Sequence, residues 1–320
     1  PSVNYQYDEQ GRVTLITDQF GNTKFEYYPN GQLKTKDGPL DNDLISITYN
    51  KVKKISSVAV NNTINSSYEY DDLGRLLTIN AFSKDFNYSY SYSNTSLSPL
   101  IMLDYPSGVQ QSWQWDKQSD LAQLRYTKQD TSIAEYNYKF DESGQLSEQI
   151  GTSAWRMDVP KFTARYNDLN QIIEWNGDKN IFDYDKDGNP TKGILGDGTS
   201  FTAIYDAENR LVELSFIRQG IKYKETFGYA YNNMLSEYKL YQNAVLAKTK
   251  RYVRLGLVEL QEQDAKGKVE QEYAWNLYAK GGIGNLLITK TADKFYQYIY
   301  SYTGNVQKVI DGSGNIVANY

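Results

Sequence analysis

Residues 5–33 read YQYDEQGRVTLITDQFGNTKFEYYPNGQL, and the reading of this stretch decides the fold. Three short β-rich phrases end in Gly-closed turns, at Asp8-Glu9-Gln10-Gly11, Asp18-Gln19-Phe20-Gly21 and Pro29-Asn30-Gly31. Asp at the first position of such a turn accepts hydrogen bonds from backbone N–H groups two residues on. Pro presets φ, and Gly takes the left-handed conformation that closes a type I turn into a bulged hairpin. An apolar residue then starts the outgoing strand, as in Arg12-Val13. Strand, turn, strand is the unit.

The unit recurs along the whole chain. Asp-x-x-Gly ends at Gly74, Gly144, Gly188, Gly267 and Gly314, while Asn170 and Asn209 close two further copies. Asn tolerates the left-handed region better than other non-Gly residues, which fits that exchange. Tyr28-Pro29-Asn30-Gly31 and Tyr105-Pro106-Ser107-Gly108 place Pro second. Alternating aromatics often precede the turns, as in Tyr5-x-Tyr7, Tyr68-x-Tyr70, Tyr88-x-Tyr90-x-Tyr92, Trp113-x-Trp115 and Tyr296-x-Tyr298-x-Tyr300-x-Tyr302. Alternation puts the rings of each set on one face of a strand. No window sustains a helical stripe; residues 117–129 come nearest, and they stand where another hairpin is expected. Residues 34–66 read as a longer loop plus a strand pair. The uneven spacing of the closing residues excludes a fixed-period solenoid or propeller. The expectation is an all-β chain, one long antiparallel sheet of successive hairpins, with residues 1–320 as a single domain.

Composition narrows function by exclusion. The formal net charge of −5 argues against a phosphate-binding surface, so nucleic acid is not an expected partner. No apolar run approaches the length of a membrane-spanning helix. The start, PSVNYQYD, has neither an initiator Met nor a signal pattern and reads as part of a longer or processed chain. There is no Cys and no His, which removes disulfides, thiolate nucleophiles, His bases and their metal sites. Tyr occurs 30 times, and its apolar ring with a polar tip suits a partly wet sheet face.

Tyr7-Asp8-Glu9-Gln10-Gly11-Arg12-Val13 and Tyr70-Asp71-Asp72-Leu73-Gly74-Arg75-Leu76 resemble the YD repeat, Y-D-x-x-G-R-L. That repeat is found in bacterial Rhs proteins, Tc-toxin B and C subunits, wall-associated proteins and teneurins. Thr35-Lys36-Asp37-Gly38-Pro39 resembles a spacer between such repeats, and residues 302–320 resemble the last repeats before the Rhs-associated core. The resemblance implies a sheet of hairpins spiralling into a hollow or partial shell, with residues 251–320 ending the array before that core. It implies a non-enzymatic scaffold, secreted or at the bacterial cell surface, around or beside a toxin polypeptide or against other shell subunits. An adhesion or carbohydrate-binding module facing cell-surface glycans is the alternative. A single-layer wall wetted on both faces would bury little aliphatic surface and lean on cross-strand aromatic pairs.

No cofactor is expected. Asp183-x-Asp185-x-Asp187-Gly188 imitates the first half of a calcium loop, yet Ile194 stands where a bidentate Glu is required. An ordinary YD turn is the simpler reading of that weak metal candidate. Gly281-Gly282-Ile283-Gly284 lacks the Lys and following helix of a phosphate loop. The Trp residues at 113, 115, 155, 175 and 275 read as sheet aromatics ahead of sugar platforms. The residues expected to build the repeat are Tyr7, Asp8, Gly11, Arg12, Asp18, Gly21, Gly31, Tyr70, Asp71, Gly74, Arg75, Gly144, Gly188, Gly267 and Gly314.

Overall fold

The computed structural model describes residues 2–91, 99–151, 161–278 and 285–320. Tyr92, Trp155 and the Gly281–Gly284 run lie outside them. The described residues are all-β, and every strand pairing is antiparallel between sequence neighbours. They form a 14-stranded sheet from Asn4 to Gly151, a two-stranded hairpin of Ala164–Tyr166 with Ile172–Trp175, and a 13-stranded sheet from Asp183 to Asn319. The long sheet is thus divided, and the two large sheets do not close on one another into a barrel.

Strand directions alternate, so in the first sheet every second turn falls on the same rim. That rim carries the turns beginning at Asp8, Tyr28, Asn50, Asp71, Asp116 and Asp141, each with an i+3 N–H returning to the first residue's carbonyl. The closing residues Gly11, Gly31, Lys53, Gly74, Ser119 and Gly144 all have φ between 63° and 85°. We call this the YD rim. The opposite rim favours two-residue turns with both φ values positive, as at Asn61-Asn62 (50°, 61°), Phe82-Ser83 (53°, 62°) and Gln129-Asp130 (46°, 64°). These are the type I′ tips whose twist matches the strands they join.

Two expectations about the turns change here. Asp18–Gly21 is not a copy of Asp8–Gly11: Asp18 pairs with Gly21 directly and the chain turns over Gln19-Phe20. Its Asp side chain still accepts from the Phe20 N–H, at 2.9 Å, but its other oxygen is taken by the Tyr231 N–H of the second sheet. Residues 34–66 hold the expected longer loop, at 38–44, and the expected strand pair, but with a turn that was not foreseen. They hold the strands Ile45–Tyr49 and Ile55–Val60 around a YD-type turn at Asn50–Lys53, which has neither Asp nor Gly.

The wall is not a single wet layer. Ile45, Val58, Ile79, Phe86, Leu124 and Tyr126 of the first sheet share one buried cluster with Val253, Leu260, Ala274, Ile288, Ile299 and Ile310 of the second. Each of these aliphatic and aromatic groups is less than 4% exposed, so the layers dry one another. Tyr hydroxyls stitch the seam to backbone: Tyr68 to the Trp275 carbonyl, Tyr105 to that of Tyr298 and Tyr126 to that of Tyr300. Aliphatic residues dominate this core, and the Tyr that join them bury their rings while their hydroxyls take carbonyls of the facing sheet.

Candidate functional site

The YD motif is a three-part joint between neighbouring hairpins. In Asp8-x-x-Gly11-Arg12, Oδ1 of Asp8 accepts from the N–H groups of Gln10 and Arg12, and Oδ2 receives the Arg12 guanidinium at 2.6 Å. Asp71 with Arg75 repeats this geometry, and so does Asp206 with Arg210. Desolvation works to raise these Asp carboxyls, but the hydrogen bonds and guanidinium outweigh it and hold them low. Each guanidinium then lies over the ring of the following Tyr: Arg12 over Tyr27 at 4.7 Å, Arg75 over Tyr90 at 4.6 Å and Arg210 over Tyr229 at 5.0 Å.

The same Tyr closes the joint. Tyr27 donates its hydroxyl to the Val13 carbonyl at 2.8 Å, Tyr49 to Leu33 at 3.0 Å, Tyr70 to Ile55 at 2.8 Å and Tyr90 to Leu76 at 2.9 Å. Tyr229 reaches Leu211 and Tyr300 reaches Leu286 in the same way, while Trp115 uses its indole N–H on Leu100. The accepting residue is an apolar one at the start of the outgoing strand, directly after G-R at Val13 and Leu76, and the register shifts immediately before each aromatic, as between Glu69 and Tyr70. The bulge opens a carbonyl and the next repeat's Tyr fills it. Tyr184 does this across the break in the sheets, meeting the Ile172 N–H at 2.9 Å and its carbonyl at 3.3 Å. Tyr7 begins the array on an edge strand and is 60% exposed.

Sequence reasoning placed the Asp, Gly and Tyr positions but missed the Arg stacking and the backward reach of Tyr. The available signal was the shared occurrence of Tyr and Arg in successive copies, 14 residues apart from Val13 to Tyr27 and from Leu76 to Tyr90. The remaining expected positions split between the rims. Gly31, Gly144 and Gly188 close YD-rim turns, whereas Gly267 and Gly314 close turns on the opposite rim. There they meet the first sheet: a Cβ on Gly314 would lie 3.1 Å from the Ser107 carbonyl oxygen, and Lys128 donates to Ser313.

The calcium-like triplet is used as a turn. Asp185 Oδ1 accepts from the N–H groups of Asp187 and Asn189, and Asp183 lies 3.7 Å from the Lys192 ammonium. Among the described residues no group of three acidic side chains is placed to hold a metal.

Among the described residues, two carboxylates on the strand Val258–Gln263 converge with basic groups of the strand Val245–Leu255, away from the face that meets the first sheet. Glu259 contacts Arg254 at 2.7 Å, Glu262 contacts Lys250, and Tyr273 donates to Glu262 at 2.6 Å. Burial pushes the Glu259 carboxyl up to about 7 against the attraction of Arg254, and neighbouring Glu262 adds to the rise. Both carboxylates are already engaged by basic groups.

A larger opening lies between the two sheets near the YD rim. It has a volume of about 790 Å³, and its walls include Tyr88, Gln111, Trp113, Tyr278, Asn285 and Tyr300.

These features define a class: an array of YD hairpins, joined Tyr-to-bulge and folded as two packed layers. Residues 39–126 match the teneurin YD-shell family. The chain is 30% identical over 199 residues to the tRNA3(Ser)-specific nuclease WapA of Bacillus spizizenii, covering 62% of this chain and 8% of that protein. The solved TcdB2–TccC3–TEV structure has the same fold, with a TM-score of 0.64, 12% identity and coverage of 99% of this chain and 21% of the other. Residues 39–126 are thus similar to the teneurin YD shell, and the whole chain shares the fold of the TcdB2–TccC3–TEV structure. It spans under a tenth of the curated relative and about a fifth of the solved one.

Proposed function

We propose that this chain is a stretch of shell wall that houses or presents a polypeptide, a toxin component by analogy with TcdB2–TccC3, in a secreted or surface-held bacterial protein. The observation that carries this reading is the two-layer packing. One face of the second sheet is spent on the first, and its other face, bearing Tyr238, Tyr252 and Tyr273 among paired charges, is left to meet something else. Hydroxyl-tipped rings and neutralised charges offer an unfolded chain many weak contacts and no sticky apolar patch. In this reading residues 1–320 are one array, residues 251–320 are its end before a core segment, and the wall is non-catalytic. Its convergent carboxylates serve as cross-strand braces.

Protease protection in the full natural protein tests this. A polypeptide within the shell should resist trypsin while the wall is intact and be cut once Tyr126→Ala opens the seam. Equal cleavage of that polypeptide in both proteins would overturn the housing role.

A further inference from the structure

The strap at residues 38–44, on the rim opposite the YD turns, is tied by one carboxylate. Asp43 is 6% exposed; its Oδ1 accepts the Gly38 N–H at 3.0 Å and its Oδ2 the Leu40 N–H at 2.9 Å. A Cβ on Gly38 would overlap that Oδ2, so the grip needs Gly there. The strap crosses to the second sheet at three points. Lys36, just before it, donates to the Arg254 carbonyl at 2.8 Å, and the Asn42 carbonyl accepts the Gln263 amide at 3.0 Å. The Asp41 carbonyl lies against Gly267.

The charges at this crossing are poorly matched. Asp43 is in no ion pair, and the charged and titratable groups around it are Lys36, Asp37 and Asp18 of the first sheet with Tyr231, Tyr252 and Arg254 of the second. Lys36 attracts it and Asp37 repels it, while Arg254 is already held by Glu259 at 2.7 Å. Gln263 is fully buried and its Oε1 has no partner. A space of about 40 Å³ beside Asp43 is large enough for water to carry protons to it. Burial outweighs the two N–H bonds and Lys36, and it pushes the Asp43 carboxyl up to about 6. Once undocked, the same carboxyl stands in water and titrates near 3.8. Docking is therefore strongest below 3.8 and weakens as pH rises through 6. Lys36, held low by the same burial, works in the opposite sense, strengthening docking only as it loses its own proton. We propose that the 38–44 strap is a pH-operated latch between the two sheets, docked while Asp43 is protonated in mild acid and loosened as that carboxyl ionises toward neutral pH. This role stands apart from the shell reading, since it needs nothing inside the wall.

Amide hydrogen exchange of the intact chain, read by mass spectrometry and corrected for the intrinsic pH dependence of exchange, tests the latch. Protection over residues 38–44 should fall about tenfold between about pH 5 and pH 7.5. The Asp8–Gly11 turn, whose carboxyl is held low, should show no such fall. Asp43→Asn keeps the shape and removes the titration, so the strap's protection should be flat over that range, whatever its level. Lys36→Met removes the attracting ammonium and should move the fall to higher pH. Glu259→Gln, beyond Arg254, should leave the fall in place. Constant protection in the natural sequence would overturn the proposal, even if Asp43→Asn failed to fold. A fall that persists in a folded Asp43→Asn chain would overturn it too.

Discussion

The two large sheets are built from the same turn chemistry yet spend their side chains differently. In the first, strands such as Leu121–Lys128 alternate sharply between buried and partly exposed residues, and Tyr126 is fully buried. In the second, the strands Leu211–Arg218 and Ile221–Tyr229, which contribute nothing to the buried cluster, are half-buried on both faces, with Phe216 and Tyr223 stacked at 5.1 Å. The repeat therefore specifies hairpins and their joints, while a second layer decides which faces become dry. Burial here belongs to the assembly of sheets and not to the motif.

Tyr126→Ala should break this comparison most severely. It leaves a cavity and strips both the N–H and the carbonyl of Tyr300 of the hydroxyl they share, so equilibrium unfolding should show a loss of roughly 3–5 kcal/mol. Tyr223→Ala, with its ring on a half-wet face, should lose only about 1 kcal/mol. Equal losses would mean that the layers do not differ.

Protonation probes the second sheet. The Glu259 carboxyl titrates at about 7 when folded against a reference of 4.5, so its contribution is complete below 4.5 and lost as pH rises through 7. Glu259→Gln should flatten that fall by about 3 kcal/mol between those limits, read as denaturation midpoints against pH. Asp71 runs the other way: its folded pKa is depressed, so its contribution holds above 3.8 and fades as pH drops through the folded value. Asp71→Asn should flatten only the acid limb of the same curve.

Tyr70→Phe keeps the ring and orphans the Ile55 carbonyl, for an expected cost of about 1–2 kcal/mol. Tyr7→Phe, at the array's edge, should show no change in the same melt. Gly74→Ala, forced to hold φ near 75°, should cost about 1 kcal/mol. Asn170→Gly, in the same left-handed role at φ 59°, should gain a few tenths of a kcal/mol.

The turn residues were legible because Asp, Asn, Pro and Gly act on their own backbone within four positions. Turns closed by Lys53 and Ser119 were not, since those residues enter the left-handed region only because the strands on each side demand it. The joint was half legible: Tyr before Asp is visible in sequence, but its acceptor is a carbonyl freed by a bulge one hairpin earlier. The seam between sheets left no local mark. Nothing near Tyr126 announces Tyr300, 174 residues away.

The register shifts have a mechanical consequence. One falls before Tyr7, Tyr27, Tyr49, Tyr70, Trp115 and Phe140, all on the same rim of the first sheet. Each inserts an extra residue and bends its strand. A ribbon lengthened repeatedly along one border behaves like a bimetallic strip, so its total bend accumulates with the number of repeats. Adding or deleting copies would then tune how far around the wall wraps, at one radius, without altering a single joint.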